Sequence, residues 1–121
     1  MLVKLLKSKI HRAKVTQADL NYVGSITIDQ NLMEAANILP NEAVLVADVD
    51  NGTRHVTYAI PGQAGSGIIC INGAAARLVH VGDIVLIMAF GYFDEKEAKN
   101  HQANIVIMNE RDNTIKEIIH Y

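Results

Sequence analysis

The sequence predicts a mainly β protein, a small closed β-barrel with a few short helices, and three observations favour this fold. The apolar segments have the length of strands, as in residues 84–90. Turn signals rich in Gly, Asn, Asp or Pro recur between them. The 121 residues are 50% hydrophobic but only 5% aromatic, so we expect one domain, residues 1–121, with an aliphatic core.

Charge and cysteine content exclude several classes of protein. Eleven Lys and Arg against thirteen Asp and Glu give a net charge of −2, which argues against a nucleic-acid-binding domain. Cys70 is the single cysteine, so no intrachain disulfide or cysteine-cluster metal site is expected, and a reducing cytoplasmic location fits. No apolar run reaches the about 20 residues of a membrane span, so no membrane partner is expected.

The first predicted strand covers residues 9–16, within an N-terminal segment that carries five basic side chains and the single acid Asp19. Neither alternating face of this segment is wholly apolar, so a targeting peptide or a basic membrane-surface helix competes with a strand. We favour a strand of the folded domain, because a targeting peptide would be richer in Ser. On that interpretation Lys9 and His11 point to the same face.

A polar turn over residues 19–25 leads into a short strand, residues 26–28. Asp29 is the expected N-cap of a helix over residues 30–38, which Pro40 stops. The buried stripe of this helix is predicted as Leu32, Met33, Ala36 and Leu39.

Alternating strands and turns fill the rest of the chain. Asp50-Asn51-Gly52 predicts a type I′ hairpin between strands 43–48 and 54–60. The remaining expectations are a loop at 61–67, a buried strand at 68–71, one helical turn at 74–78, a strand at 84–90, a short helix at 93–100, and a hairpin of 104–108 with 114–119 around Asp112-Asn113.

Standard catalytic motifs are absent, and the five histidines suggest no metal-ligand set. The Gly-rich residues 62–67 lack the Lys and the helix of a phosphate loop, so they show no convincing cradle for pyridoxal phosphate. Two regions stand out: residues 22–29, and residues 54–58 together with 71–76. Each alone has an ordinary explanation, as a turn, an exposed strand or a strand-to-helix junction.

Together these segments resemble a known family. The matching motifs are Lys9-Ile-His11-Arg12, Val15-Thr16-Gln-Ala18-Asp19-Leu20, Tyr22-Val-Gly24-Ser25-Ile-Thr-Ile-Asp29, Asn51-Gly52-x-Arg54-x-x-Thr57-Tyr58 and Ile71-Asn72-Gly73-Ala74-Ala75-Ala76. In order and spacing they resemble the bacterial aspartate 1-decarboxylase family, pyruvoyl-dependent enzymes that make β-alanine for pantothenate. The likeness is dense up to about residue 90. Some relatives carry Trp at Ala47 and Ile at Leu86, near the pocket, and no function is assigned from Gly91 onward.

The resemblance implies a double-psi β-barrel that assembles as a homotetramer, with active sites between neighbouring subunits. It implies that Ser25 attacks the carbonyl of Gly24, that the chain divides into 1–24 and 25–121, and that Ser25 becomes a pyruvoyl group. That group would form a Schiff base with L-aspartate, without metal or pyridoxal phosphate. Thr57 would stabilise the oxyanion during processing, and Asn72 would orient Thr57 and the pyruvoyl end.

For turnover, the resemblance implies that Tyr58 is the proton donor. Arg54 and Lys9 would bind the substrate carboxylates with help from His11, Tyr22 would line or cover the site, and N–H groups around Gly73, Ala74 and Ala75 would bind the remaining oxygens. A non-enzymatic β-barrel binding module and an unprocessed, inactive relative are the alternatives. The need for a maturation factor stays open.

Overall fold

The computed structural model describes all 121 residues as a mainly β chain with two short α-helices and one 3₁₀-helix, which confirms the predicted class. The strands are β1 (Leu2–Lys14), β2 (Gln17–Asp19), β3 (Ser25–Asp29), β4 (Ala43–Asp48), β5 (Arg54–Gly62), β6 (Ile69–Asn72), β7 (Ile84–Asp94), β8 (Asn104–Asn109) and β9 (Thr114–His120). The helices are α1 (Gln30–Ala35), α2 (Glu95–Asn100) and the 3₁₀-helix Gly73–Leu78. None of them is long and apolar enough to cross a membrane.

The strands form one nine-stranded mixed sheet in the order β2-β6-β3-β5-β4-β7-β1-β8-β9. Three of the neighbouring pairs are parallel, namely β1 with β8, β2 with β6 and β3 with β5. This order places β3 between β6 and β5, so the start of β3 meets the end of β6 and the middle of β5, two strands that are distant in sequence. The closed double-psi barrel stays a prediction.

The core is aliphatic, as the composition predicts. Its largest fully buried side chains are mostly Ile and Val, including Ile10, Ile26, Ile71 and Ile87. Each such side chain contributes roughly 1.5–3 kcal/mol through removal of apolar surface from water. The core therefore extends across the strands that carry the candidate site.

Strand β1 is longer than predicted, and two irregularities explain why neither of its alternating faces is wholly apolar. The register against β7 shifts between Leu6 and Ser8 and again between His11 and Ala13. At the second shift Arg12 has φ 68, so Ile10 and Ala13 are both buried although they are three positions apart. Such a bulge inserts one residue and reverses the alternation beyond it.

Helix α1 is shorter than predicted. Asp29 caps it as expected, accepting a hydrogen bond from Asn31 N at 2.8 Å. The helix ends at Ala35 because Asn37 takes a left-handed conformation with φ 54, so Pro40 is not what stops it. The reversal buries Ile38 and leaves Leu39 61% exposed, so the prediction of Leu39 in the buried stripe was wrong.

The predicted hairpin between β4 and β5 is confirmed, but its turn is not type I′. Of the turn residues only Gly52 has positive φ (77°), whereas type I′ requires two such residues. Instead the N–H of Gly52 donates to Asp48 O at 2.8 Å, and that of Asp48 to Thr53 O at 2.9 Å, which closes a longer loop.

Strand β2 was not predicted, and the other elements agree with the predictions except at their boundaries. β5 runs on to Gly62 and β7 runs on to Asp94, so the loop and helix that follow them begin later than expected. The turn after β6 is a 3₁₀-helix, and β8 pairs with β9 as the predicted C-terminal hairpin.

Candidate active site

Ser25 lies at the start of β3, buried with only 2% of its surface exposed. Its φ is 122°, a region that side-chain-bearing residues rarely adopt. Such a conformation costs of order 1–3 kcal/mol and persists only where the surroundings enforce it. The backbone is therefore strained at Ser25, directly after the Gly24 carbonyl.

The carbonyl of Gly24 receives a hydrogen bond from a residue 34 positions later. Tyr58 Oη donates to Gly24 O at 3.2 Å. Tyr58 is on β5, which runs parallel to β3, and this pairing brings its ring to the start of β3. Thr57 lines the same groove, but the side-chain donor on Gly24 O is Tyr58. The family resemblance had implied Thr57 alone for this oxyanion position.

Four polar side chains meet on one face of β3 and β6, and we call them the β3–β6 quartet: Ser25, Thr27, Cys70 and Asn72. Asn72 Nδ2 donates to Ser25 Oγ and to Thr27 Oγ1, each at 3.1 Å. The Cys70 thiol donates to Asn72 Oδ1 at 3.1 Å. Asn72 thus contacts Ser25 as expected, but its second partner is Thr27 and not Thr57.

Gly73 allows the backbone before Ser25 to pack closely. Its φ is +74°, and a Cβ built there would lie 2.8 Å from Gly24 Cα and 3.3 Å from Tyr22 O. No side chain fits in that space, so Gly73 is required for residues 22–24 to approach the junction of β6 and the 3₁₀-helix. The Tyr22 side chain itself is 58% exposed.

Beside Ser25 the surface forms an open groove of about 630 Å³. Its lining includes Gly24, Ser25, Thr57, Tyr58, Asn72, Ala74 and Ala75, all predicted from the sequence. It also includes Arg77 and His55, which the sequence analysis did not select. Burial lowers the pKa of His55, so the neutral imidazole is favoured there.

Arg54, Lys9 and His11 do not line this groove within one chain. Arg54, Ala47, Leu86 and His11 form one row across β5, β4, β7 and β1. Three inter-strand spacings of about 4.8 Å separate His11 from Arg54 by about 14 Å along the sheet. Ala47 and Leu86 lie between them and do not line the groove either.

His11 is itself in an unusual setting. Its Nδ1 is buried without a hydrogen-bond partner. Burial first, and then the positive charges of Lys9 and Arg12, lower the pKa of His11. Lys9 and His11 share a face of β1, as predicted, since no register shift falls between them.

The chain is similar to known proteins over its full length. The family model described as "Aspartate decarboxylase" matches residues 1–116. The aspartate 1-decarboxylase of Clostridium beijerinckii is 60% identical over 121 residues, which are 100% of this chain and 97% of the relative. Those of Moorella thermoacetica (61% over 108 residues, 89% and 84%) and Staphylococcus aureus (54% over 120 residues, 99% and 94%) are similar too.

Proposed function

The chain belongs to the aspartate decarboxylase family, and we propose that it performs the family reaction with an electron sink made from its own backbone. It is a carboxy-lyase that converts aspartate to β-alanine and CO₂, a step in pantothenate biosynthesis. Loss of CO₂ from an amino acid leaves electrons on the α-carbon, and no standard side chain can accept them. The electron sink is the pyruvoyl group proposed at residue 25.

The junction of Gly24 and Ser25 supports this proposal more than any other feature of the structure. Ser25 has a strained φ, and the Gly24 carbonyl accepts a hydrogen bond from Tyr58. Ser25 Oγ attacks the Gly24 carbonyl carbon, and the acyl group moves from nitrogen to oxygen, which leaves an ester. Relief of the φ of 122° at Ser25 favours this step. Attack places negative charge on Gly24 O, the atom to which Tyr58 Oη already donates.

Completion of the cleavage needs one elimination and one hydrolysis. The α-proton of Ser25 leaves, the Cβ–O bond breaks, and Gly24 departs as the carboxylate that ends the fragment 1–24. Residue 25, now dehydroalanine at the head of 25–121, takes up water and releases ammonia. Besides Tyr58, we assign Thr57 to this processing, because Thr57 lines the groove and its hydroxyl can donate to the oxyanion.

The residues around the groove fit a pyruvoyl group at this position. Its carbonyl supplies the electrophile that condenses with the substrate amine and accepts the electrons released with CO₂. Asn72 Nδ2, which lies 3.1 Å from Ser25 Oγ, is placed to donate to an oxygen on residue 25. In the uncut chain the Tyr58 hydroxyl points its proton at Gly24 O, next to residue 25. We therefore assign Tyr58 as the proton donor to the substrate carbon.

Recognition of two carboxylates requires positive charge that a single chain supplies incompletely. We assign the backbone N–H groups of Gly73, Ala74 and Ala75 to substrate oxygens, and Arg54 to a carboxylate through its planar fork. Arg54, Lys9 and His11 all lie outside the groove of their own chain, and Lys9 and His11 lie three strands from Arg54. We therefore propose that these three side chains act in the groove of a neighbouring copy, within a homotetramer of double-psi barrels.

The mass of the purified protein tests this function. We expect two fragments, residues 1–24 and 25–121, with the larger labelled by phenylhydrazine and β-alanine formed from L-aspartate. An intact, unlabelled chain without activity would refute the self-processing mechanism and favour the inactive relative. Cleavage only after addition of a cell extract would show that a maturation factor acts on the same bond.

A further inference from the structure

We propose that Cys70 and Thr27 are positioning residues for self-cleavage, because together they fix the orientation of the Asn72 amide that donates to Ser25 Oγ. This inference rests on the proposed function and extends it to two side chains that touch neither the scissile bond nor the groove. Cys70 lies outside the motifs of the resemblance, and Thr27 stands inside one of them without an assigned role.

The strand pairing brings the quartet together. In the antiparallel pair of β3 and β6, Ser25 is opposite Asn72 and Thr27 is opposite Cys70. Alternate residues of a strand share a face, so all four side chains lie on one face of the two strands. Ser25, Cys70 and Asn72 are each less than 5% exposed, so water does not compete for the two hydrogen bonds that join them.

A carboxamide can be turned by half a rotation at little steric cost, so its neighbours decide which end is the donor. Here Oδ1 of Asn72 accepts from the thiol of Cys70, while Nδ2 donates to Ser25 and Thr27. The opposite orientation would place N–H groups against the S–H donor of Cys70. It would also place Oδ1 against Ser25, where it would accept the hydroxyl proton and hold Oγ back from attack.

Two observations support the donor role of Cys70. Its pKa is raised by burial and then by the charge of Asp19, so the proton stays on sulfur at neutral pH. Thr27 Oγ1 accepts the second N–H of Asn72, which leaves no donor of the amide unpaired. In this orientation an N–H faces Ser25 Oγ and stabilises the negative charge that develops on it when its proton leaves.

The experiment compares the rate of self-cleavage in chains made by cell-free translation and followed by intact mass. A net hydrogen bond of about 1 kcal/mol corresponds to about fivefold in rate, so Cys70→Ala and Thr27→Val should each cleave about fivefold more slowly than the wild type. Cys70→Ser restores a donor and Thr27→Ser an acceptor, so both should cleave within about twofold of the wild type.

Controls separate positioning from folding. Thr114→Val removes a hydroxyl that donates to Asp112 Oδ1 and accepts from Asn109 Nδ2 in the β8–β9 turn, outside the groove, so it should leave cleavage unchanged. The midpoint of thermal unfolding, measured on each chain with Ser25→Ala added, shows whether the paired Ala and Ser variants fold equally well.

The outcomes differ for this inference and for the proposed function. If the wild type cleaves and Cys70→Ala and Thr27→Val cleave at the same rate, this inference is overturned but the proposed function is not. Equal slowing in Cys70→Ala and Cys70→Ser would also overturn it, because the size of the thiol and not its proton would then matter. A wild-type chain that never cleaves would instead refute the proposed function.

Discussion

The hydroxyl of Tyr58 donates to the carbonyl oxygen of Gly24 across 3.2 Å, so one side chain contacts the bond proposed for cleavage and also borders the groove proposed for substrate. In the uncut chain it polarises the Gly24 carbonyl. In the proposed mechanism, the same hydroxyl would face the groove once the bond after Gly24 is cut. This relationship would link maturation to turnover, and several variants separate the two.

Ser25→Ala should remain a single chain and form no β-alanine, because no oxygen is left to attack Gly24. Intact mass and CO₂ release measure both effects. Ser66→Ala removes a hydroxyl from an exposed loop, where it bonds only to Gln63 O and Ile68 N, and should cleave like the wild type. CO₂ release by Ser25→Ala would show that residue 25 is not the source of the cofactor.

Tyr58→Phe should still cleave, but more slowly, and should lose turnover after cleavage is complete. One donor to the developing oxyanion is worth at most about 10²–10³ in rate, and the hydroxyl of Thr57 in the same groove remains. Mass spectrometry follows the cleavage, and the rate of CO₂ release is then measured on the fully cleaved chain. Wild-type turnover would remove Tyr58 from the role of proton donor.

Gly73→Ala should slow cleavage by about tenfold or more, since the new Cβ would lie 2.8 Å from Gly24 Cα and push residues 22–24 outward. Gly52→Ala is the matched control. Gly52 has a similar φ of +77° but no atom within 4 Å of an added Cβ. Gly52→Ala should therefore lose about 1 kcal/mol of stability and cleave normally, whereas Gly73→Ala should lose more, because the contact with Gly24 adds to the same backbone cost. Equal cleavage rates would argue against the close approach.

Asn113→Ala should lower the free energy of unfolding by about 3 kcal/mol, because three backbone groups lose their partners. The buried amide accepts from Lys14 N at 2.8 Å and donates to Lys14 O and Gly67 O, each at 2.8 Å. Urea unfolding measures the effect. Asn109→Ala, an exposed amide bonded only to Thr114 Oγ1, should cost less than about 1 kcal/mol.

Three carboxylates lie within 4.8 Å of one another at the β4–β5 turn and before β7: Asp48, Asp50 and Asp83. Asp48 is 3% exposed, and its Oδ2 has no N–H or O–H donor. Burial, and then a hydrogen bond with Asp83, raise the pKa of Asp48, and the same bond lowers the pKa of Asp83. One proton shared between the Asp48 and Asp83 carboxyls accounts for both the raised pKa of Asp48 and the lowered pKa of Asp83.

Asp48→Asn should therefore reduce the pH dependence of stability. Asp48 binds its proton more tightly when folded, so the free energy of unfolding falls as pH rises from about 4 through the raised pKa. The Asp83 contribution has the opposite sign and is lost below about pH 4. An amide keeps the acceptor for Asp50 N and Asn51 N and donates to Asp83 at any pH.

Urea unfolding between pH 4 and pH 8 measures this dependence on the Ser25→Ala background. In Asp48→Asn the free energy of unfolding should no longer decline above about pH 4. At pH 7 the variant should be at least as stable as its parent. Glu34→Gln, on the exposed side of α1, should keep the parental slope. An unchanged slope in Asp48→Asn would show that Asp48 is ionised throughout this range.

The sequence predicted features that depend on neighbours along the chain. The cap at Asp29, the strand Ala43–Asp48, the hairpin after it and the aliphatic core follow from local conformational preference and from alternation. Errors arose where one backbone angle changed the local path. The left-handed Asn37 shortened α1, and the bulge at Arg12 reversed the alternation of β1.

The candidate site shows the same division. Motif spacing selected Gly24, Ser25, Tyr58 and Asn72, which the structure places around one groove. Spacing could not select Arg77 and His55, which line the groove, or Cys70, which lies behind it, and it gave no role to Thr27 within its motif. An Arg, a His, a Thr or a Cys in an ordinary strand or helix carries no signal of its own.

The sequence by itself determined which residues form strands, what fills the core, and where the Gly-Ser bond lies. Only the tertiary structure decided that Tyr58 reaches Gly24 and that Asn72 reaches Ser25, across 34 and 47 positions of chain. The physical reason is that backbone preference acts over a few residues, whereas strand pairing joins distant segments. The chemistry proposed here depends on those pairings.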